Sequence, residues 1–296
     1  MKRIQRGAWS AVAFAIALLV ASAAAVGNAR AEPAQDACVE LPLNEPYDAS
    51  PVFSNEGSHV VFMRGRGLAR RLYESRRSAR EWAQPTLLSF SATWMDIEPA
   101  MSADGSFLVF ASNRPVETGG DRLDAHFGGE DRPGRGGNLW SIRRTRQGWA
   151  APEHLPTAIN TGTAVYAPSV AGDGSVYFMR AEPGTGEFRL YRSLKTHGTY
   201  QVAEPLPFSD GVTADFDPSI SADQRVLVFT SDRPSLAGSA GRLFIAYHSP
   251  AGWSQPVPLP WYGTEARLAQ HDTLYFTGTD HCVQRVNWRR GAKVGE

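Results

Sequence analysis

Acidic side chains stand at or near one recurring position of this chain, and they are the residues best placed for chemistry. Glu98 and Asp217 each precede a proline, Asp96 lies just before Glu98, and Glu265 holds the same place in a degraded copy of the segment. Two carboxylates that flank a sugar can act as acid and as base or nucleophile in glycoside hydrolysis. Asp96, Glu98, Asp217 and Glu265 therefore form the candidate catalytic set of a glycan-active protein.

Arginines recur in the same segments and offer a simpler interpretation of these carboxylates. Arg114 follows Glu98, and Arg233 follows Asp217, at the same distance along the chain. Each arginine could pair with the carboxylate of its own copy and merely order the loops, and the repetition favours this structural role. The sequence contains no nucleophile elbow, phosphate loop, pair of metal-binding histidines on a helix or cysteine metal cluster. An enzyme site would have to be assembled from different copies.

Five copies of one segment must position these side chains. Each copy leads through a turn into an apolar run that ends in Phe. The copies begin at Ser50-Pro51-Val52, Glu98-Pro99-Ala100, Ala167-Pro168-Ser169, Asp217-Pro218-Ser219 and Glu265-Ala266-Arg267. A repeat of roughly 50 residues with short alternating strands is typical of a β-propeller. The prediction is an all-β fold, a propeller of four-stranded antiparallel blades.

Turn and aromatic residues mark the strands inside each copy. The pairs Asp104-Gly105 and Asp173-Gly174 suit tight hairpin turns, for which glycine supplies the positive φ. The fourth strand is expected to open with an aromatic residue and to end at a proline. Trp82, Trp149 and Trp253 open it in three copies. Because the tryptophans recur with the repeat, packing between neighbouring blades is favoured over a platform for sugars.

The fifth copy stops after its third strand, which raises the question of how the ring closes. Residues 39–43 resemble the missing fourth strand, so we expect five blades closed by an N-terminal strand, with six blades as the alternative. Cys38 precedes this strand and Cys282 lies on the strand expected to pair with it. A disulfide between them is predicted, and two free cysteines are the alternative.

Two copies resemble a known repeat closely. Asp96-Ile97-Glu98-Pro99-Ala100-Met101-Ser102-Ala103-Asp104-Gly105 and Asp217-Pro218-Ser219-Ile220-Ser221-Ala222-Asp223 are similar to the WD40-like propeller repeat of TolB-type periplasmic proteins. The resemblance covers nearly the whole chain after its first segment, and is blurred in copies one, three and five. It implies the propeller fold, and it implies protein binding in the periplasm. The repeat is a scaffold, so the motif specifies function only weakly.

The N-terminus has the pattern of a secretory signal peptide. Lys2, Arg3 and Arg6 precede an apolar stretch, and Ala29-Arg30-Ala31 forms a small-x-small cleavage site. We expect residues 1–31 to be removed and 32–296 to form a single propeller domain, a monomer without a membrane span, in the periplasm or secreted. The 30 basic residues balance the 30 acidic ones, so no net field attracts nucleic acid.

One stretch departs from the repeat. The second copy is longer than the others, and most of the excess falls at 116–137, a segment rich in glycine and charge. Insertions into repeats often mark the binding face. Phe127 is its apolar anchor and, with Asp121, Asp124 and His126, could contact a partner. Asp121, Asp124, His126, Glu130 and Asp131 could alternatively hold Ca²⁺, but a solvated loop without any cofactor is favoured.

Propeller geometry predicts which loops lie together. The connections into each first strand and those between second and third strands emerge on one face, which we call the loop-bearing face. It is expected to gather Asp48, Asp96, Glu98, Asp215, Asp217 and Glu265, together with Arg64, Arg66, Arg114, Arg180, Arg233 and His281. The leading hypothesis is an exported, non-enzymatic propeller that binds an envelope protein or peptide there, with Arg114 and Arg233 contributing. The alternative is a glycan-binding or glycoside-hydrolase-like propeller.

Overall fold

The computed structural model describes residues 42–43, 45–79, 81–233 and 241–292. All of them belong to one compact unit, Pro33–Glu296. The predicted signal peptide, Cys38 and most of the predicted closing strand lie outside the described residues. In the described part of the chain, no helix is both long and apolar enough to cross a membrane.

The described strands form five successive antiparallel units, each beginning with one copy of the repeat. Unit 1 contains β1 (Ala49–Phe53), β2 (His59–Arg64), β3 (Arg71–Ser78), β4 (Glu81–Trp82) and β5 (Thr86–Leu87). Unit 2 contains β6 (Asp96–Met101), β7 (Phe107–Ser112), the inserted hairpin β8 (Ala125–Phe127) and β9 (Glu130–Arg132), then β10 (Asn138–Thr145), β11 (Gly148–Trp149) and β12 (Glu153–His154). Short 3₁₀ turns span Gly67–Ala69 and Ser89–Ser91.

Units 3 to 5 repeat the arrangement. Unit 3 contains β13 (Val165–Val170), β14 (Val176–Ala181), β15 (Phe188–Ser193), β16 (Lys195–Thr196), β17 (Thr199–Tyr200) and β18 (Glu204–Pro205). Unit 4 contains β19 (Asp215–Ile220), β20 (Val226–Ser231), β21 (Arg242–Ser249), β22 (Gly252–Trp253) and the first part of β23 (Val257–Ala269). Unit 5 contains the rest of β23, β24 (Thr273–Gly278) and β25 (Val283–Asn287), followed by helix α1 (Trp288–Ala292). The prediction of an all-β protein built from antiparallel units is confirmed.

The first strands of the units meet around a common centre. β1 contacts β6, β6 contacts β13, β13 contacts β19, β19 contacts β23, and β23 contacts β1. This closed order is the central ring of a β-propeller. The five-blade count, with a closing strand at 39–43, stays a prediction.

The outermost strand of a unit is broken rather than ended by its proline. In unit 1, Trp82 pairs with Arg77 at the far end of β3, and after Pro85 the chain pairs again, Leu87 with Tyr73. Unit 2 does the same around Pro152, where β11 and β12 both pair with β10. Because proline has no N–H to donate, the ladder is interrupted there. The prediction that the strand ends at proline was therefore too short.

Two of the three recurring tryptophans pack between units, as predicted, whereas Trp82 contacts Phe53 of its own unit. The ring centroid of Trp149 lies 6.4 Å from that of His59 in the preceding unit, and its Nε1 donates to Glu74 Oε2 at 3.3 Å. Trp253 lies 6.3 Å from Tyr177 of the unit before it. The interpretation as structural packing is thus confirmed for both residues.

Each first strand carries a bulge at the same place. Ser50, Glu98, Ala167, Asp217 and Glu265 all adopt positive φ, between 47° and 58°, and the register with the second strand shifts at this point in every unit. A side chain in this left-handed region costs roughly 1 kcal/mol or more. The bulge redirects these five side chains and so decides where the candidate carboxylates lie.

Candidate functional site

An aspartate at the start of the first strand, rather than the bulge carboxylate, pairs with the arginine of its unit. Arg114 Nη2 lies 2.6 Å from Asp96 Oδ2, and Arg233 Nη2 lies 2.7 Å from Asp215 Oδ2. The predicted pairs of Glu98 with Arg114 and of Asp217 with Arg233 are therefore wrong. The bulge turns Glu98 and Asp217 away from their own arginines. Of the four candidate catalytic residues, Asp96 is thus engaged in a buried ion pair.

This buried pairing recurs in unit 1, where Arg64 Nε lies 2.6 Å from Asp48 Oδ1. The side chains of Asp96 and Asp215 are completely buried. Burial raises the pKa of both carboxyls, and the nearby arginine charge opposes the rise. Arg114 and Arg233, predicted to contact a partner, lie in these structural pairs.

The remaining three candidates lie in the central ring and bond to neighbouring strands. Glu98 Oε2 accepts the backbone N–H of Ala167 at 2.7 Å, and Asp217 Oδ2 accepts that of Glu265 at 2.7 Å. Glu265 Oε2 accepts the hydroxyl of Thr277 at 2.8 Å. Glu98 and Asp217 therefore link one first strand to the next. Each accepts the N–H of the bulge residue of the neighbouring first strand.

These three carboxyls share a strongly perturbed environment. Burial, together with the charges of Asp217 and Glu265, raises the pKa of Glu98 to about 8. Burial also raises the pKa values of Asp217 and Glu265, while the arginines at 70 and 267 oppose the rise. Within the described residues, none of the three lies within 4 Å of a basic nitrogen, whereas Asp96 does. Glu98 is thus held largely protonated at neutral pH.

Arg267 is the basic residue of the ring. It is 4% exposed, and its Nη1 donates to the carbonyl of Ala266 at 2.8 Å. Its Nε and Nη2 are buried and have no hydrogen-bond partner among the described residues. The equivalent residues of the other copies are smaller, namely Val52, Ala100, Ser169 and Ser219. Arg267 was not among the predicted site residues, although an arginine at a position otherwise held by smaller residues was a signal in the sequence.

Arg267 lies at the edge of a cavity of about 690 Å³. The cavity is formed where the first strands turn into the second strands, at the end opposite the loop-bearing face. Its walls include Ala100, Ser169 and Ser219 from the ring and the turn residues 54–57, 221–223 and 269–273. Glu98, Asp217 and Glu265 do not belong to its lining. The carboxylates that could catalyse glycoside hydrolysis therefore do not face this space.

The cavity wall between units 5 and 1 combines aromatic and basic side chains. Phe53 lies between Trp82, at 6.2 Å, and Tyr275, at 4.9 Å between ring centroids. Arg77 is the cross-strand neighbour of Trp82, and Arg285 is that of Tyr275. Both arginines are exposed and line the cavity. This wall offers apolar contact area with positive charge on either side.

The insertion at 116–137 is an ordered hairpin packed on unit 3. The ring of Phe127 lies 6.0 Å from Tyr166 and 5.2 Å from Phe188, and the N–H of Gly128 donates to the carbonyl of Gly186 at 2.9 Å. Phe127 is half-buried, so it anchors the hairpin to its own chain. The exposed partner candidates are polar: Asp121 makes no side-chain hydrogen bond with another described residue, and His126 Nδ1 lies 2.8 Å from Asp131 Oδ1.

Replacement of Phe127 by alanine is expected to loosen this hairpin, with a loss of about 1–3 kcal/mol for the removed packing. Thermal unfolding and limited proteolysis should show a lower Tm and faster cleavage within 116–137. Phe127→Leu, which keeps an apolar side chain, serves as the matched control and should lie close to wild type. Equal cleavage of the alanine variant and wild type would contradict the packing role.

Metal and disulfide predictions have different outcomes. The described residues contain no group of three or more His, Cys, Asp or Glu side chains that could hold a metal ion. Asp124 Oδ1 instead accepts the N–H of Gly134 at 2.5 Å, and Glu130 lies 3.0 Å from Arg132. The structure does not bring Asp121, Asp124 and Glu130 together into such a group. The Cys38–Cys282 disulfide stays a prediction, because Cys38 lies outside the described residues.

Comparison with known proteins identifies the fold. No family model matches the chain, and no curated protein matches it. A structure named as TolB from Agrobacterium tumefaciens is similar, with 16% identity, a TM-score of 0.51, and coverage of 78% of this chain and 69% of that one. A structure of a nidogen/laminin complex is similar with 12% identity, a TM-score of 0.50, and coverage of 79% and 73%. The protein is a β-propeller.

Proposed function

We propose that this protein is an exported β-propeller that binds a protein or peptide partner and catalyses no reaction. The resemblance of its repeats to those of TolB-type proteins and the fold likeness to a structure of a nidogen/laminin complex support protein binding. The predicted signal peptide supports export to the periplasm or beyond. Propellers commonly serve as rigid scaffolds for recognition, so the site must be argued from its own geometry.

The cavity at the turn end of the ring is the observation that carries the proposal. Concave surfaces of 300–1,000 Å³ with aromatic walls and a few polar groups are typical of ligand sites, and this one has about 690 Å³. Aromatic and arginine side chains also dominate binding energy at protein interfaces. The pair Trp82 and Tyr275 with the flanking Arg77 and Arg285 supplies both.

The loop-bearing face is the second candidate surface. It carries the hairpin 116–137, where Asp121, Asp124 and His126 could meet a partner. The cavity is favoured because Phe127 is already packed against Tyr166 and Phe188, and because Arg114 is buried in its pair with Asp96. The loop-bearing face still exposes Tyr47, Val116 and Val212, but its predicted anchor Phe127 is not free to meet a partner.

Enzymatic glycan cleavage is less well supported than binding. Glu98, Asp217 and Glu265 each accept a hydrogen bond from the protein and lie outside the cavity lining. A glycosidase needs two carboxyls on either side of its substrate. The half-buried aromatic wall would still suit a sugar, and capture of no protein by any form in the experiment below would favour glycan binding without cleavage.

Capture from envelope extract by three forms of the mature protein tests the site. Gln270→Trp fills the cavity from an exposed lining position, deletion of 116–137 removes the hairpin, and Arg146→Glu changes an exposed turn far from both. We expect a specific protein to be captured by wild type, by the hairpin deletion and by Arg146→Glu, and lost with Gln270→Trp. Loss with the deletion alone would move the site to the loop-bearing face.

A further inference from the structure

The guanidinium of Arg267 has an unused edge. Nε and Nη2 lie side by side on the guanidinium plane, and these are the two atoms without a partner, whereas Nη1 donates to Ala266. That edge is the one that grips a carboxylate through two parallel N–H···O bonds. A buried donor left without a partner costs about 1–3 kcal/mol. Because Arg267 lines a cavity, a molecule bound there can supply the missing hydrogen-bond acceptor.

The carboxyls of the ring do not supply that partner. Glu98, Asp217 and Glu265 act on Arg267 through their charge, but none lies within 4 Å of it. Glu98 and Asp217 are held by backbone amides of the next strand, and Glu265 by Thr277. Each of these carboxyls is therefore oriented towards its own bond and away from the free edge of Arg267.

The room for a partner lies on the cavity side. Ala100, Ser169 and Ser219 line the cavity beside Arg267 and are small. Arg267 lines the same space, and its buried free edge would have to turn into it to meet a ligand. Ser169 and Ser219 keep their hydroxyls bonded to the backbone N–H groups of Ile220 and Leu268, so they do not compete for the guanidinium.

Charge along the cavity wall agrees with an anionic ligand. Arg77 and Arg285 are exposed and have no ion pair with a described residue. The acidic lining residues are Asp272, which is paired with Arg289 at 2.7 Å, Asp223, which accepts bonds within its own turn, and Glu56, which is exposed. An anion entering past Phe53 and Tyr275 would pass Arg285 and Arg77 before it reached Arg267.

We propose that the cavity binds a ligand through a carboxylate, which the free edge of Arg267 receives in a bidentate contact while Arg77 and Arg285 attract it. The inference rests on the proposed function and names the chemistry of the same site. The carboxylate could belong to the C-terminus of a peptide or to a small organic acid. The aromatic wall of Phe53, Trp82 and Tyr275 favours a peptide that carries an apolar side chain beside its terminal carboxylate.

Calorimetric titration with matched probes tests the proposal. The probes are an N-acetylated tripeptide ending in phenylalanine, as the free acid and as the amide, and glucuronate as a small organic acid. We expect the free acid to bind at least tenfold more tightly than the amide. Tight binding of glucuronate that displaces the peptide would support carboxylate recognition and assign the small acid as its source.

Three variants separate the contact from general folding effects. Arg267→Lys keeps the positive charge but loses the paired N–H donors of the guanidinium. It should weaken binding of the free-acid peptide about tenfold and leave binding of the amide unchanged. Arg285→Gln changes a surface residue and should weaken binding of the free-acid peptide a few-fold. Arg146→Gln, an exposed arginine outside the cavity, should have no effect.

Three results would overturn the inference: no binding of any probe, equal binding of acid and amide, or equal affinity of wild type and Arg267→Lys. Protein capture that depends on the cavity would still support the proposed function in each of these cases. Protein capture that does not change when the cavity is filled would contradict the proposed function, whatever the carboxylate probes show.

Discussion

Replacement of Arg114 by methionine is expected to destabilise the protein by about 3–5 kcal/mol, the usual cost of breaking a buried ion pair by removing one partner. The change leaves Asp96 without its arginine, at a position where its side chain is completely buried. It also removes the bonds of Arg114 to Ser112 and to the carbonyl of Phe90. Urea unfolding at neutral pH measures the effect.

The double variant Asp96→Asn with Arg114→Met provides the matched comparison. Removing both charges takes away the unpaired carboxylate, so the double variant should regain part of the lost stability. Arg146→Met, on an exposed turn, should change the free energy of unfolding by less than about 0.5 kcal/mol. A loss below about 1 kcal/mol for Arg114→Met would show that the buried pair contributes little to stability.

Glu98→Gln is expected to flatten the dependence of stability on pH. The pKa of Glu98 rises from 4.5 in the unfolded chain to about 8 in the folded protein. The folded state therefore keeps a proton that the unfolded state releases, and the free energy of unfolding falls as pH rises between these two values. Glutamine mimics the protonated carboxyl and cannot ionise, so the variant escapes this loss.

The difference should reach roughly 3–5 kcal/mol, because each pKa unit corresponds to about 1.36 kcal/mol. We expect Glu98→Gln to match wild type near pH 5 and to exceed it near pH 8.5. The charged groups that act on Glu98 are Asp217, Glu265 and Arg267. Exposed Glu117→Gln is the control. Parallel pH profiles of wild type and Glu98→Gln would contradict a buried, protonated Glu98.

The repeated segment made the fold readable from the sequence. Short apolar runs, the turns at Asp104-Gly105 and Asp173-Gly174, and the recurring tryptophans all report local geometry, which the structure confirms. The sequence did not reveal that the outermost strand continues past its proline, because a proline usually indicates that a strand ends. A proline only removes one donor from the ladder, and pairing resumes beyond it, as at Leu87.

The candidate site was harder to read because it depends on one backbone detail. Glu98 and Asp217 were expected beside Arg114 and Arg233, since alternating strand geometry and loop proximity suggest this. The bulge at positive φ redirects both side chains to the next first strand, and no composition or spacing rule indicates a bulge at an ordinary Glu-Pro or Asp-Pro pair. Asp96 and Asp215 take the arginines instead.

The cavity was missed for a different reason. Phe53, Trp82 and Tyr275 come from two units that meet where the ring closes, far apart in sequence, so their contact is visible only in three dimensions. Arg285 and Arg77 are unremarkable surface residues until the cavity between them is known. The departure at Arg267 from the small residues of the other copies was the one sequence feature that marked this place.

Photocrosslinking from inside the cavity tests directly whether the partner binds there. A benzophenone side chain at Gln270, in the cavity wall, is compared with one at Asp121, on the loop-bearing face, each irradiated in native envelope extract. We expect one discrete adduct from position 270, suppressed by excess wild-type protein but not by excess Gln270→Trp, and none from position 121. A discrete, competed adduct from position 121 with none from position 270 would contradict it.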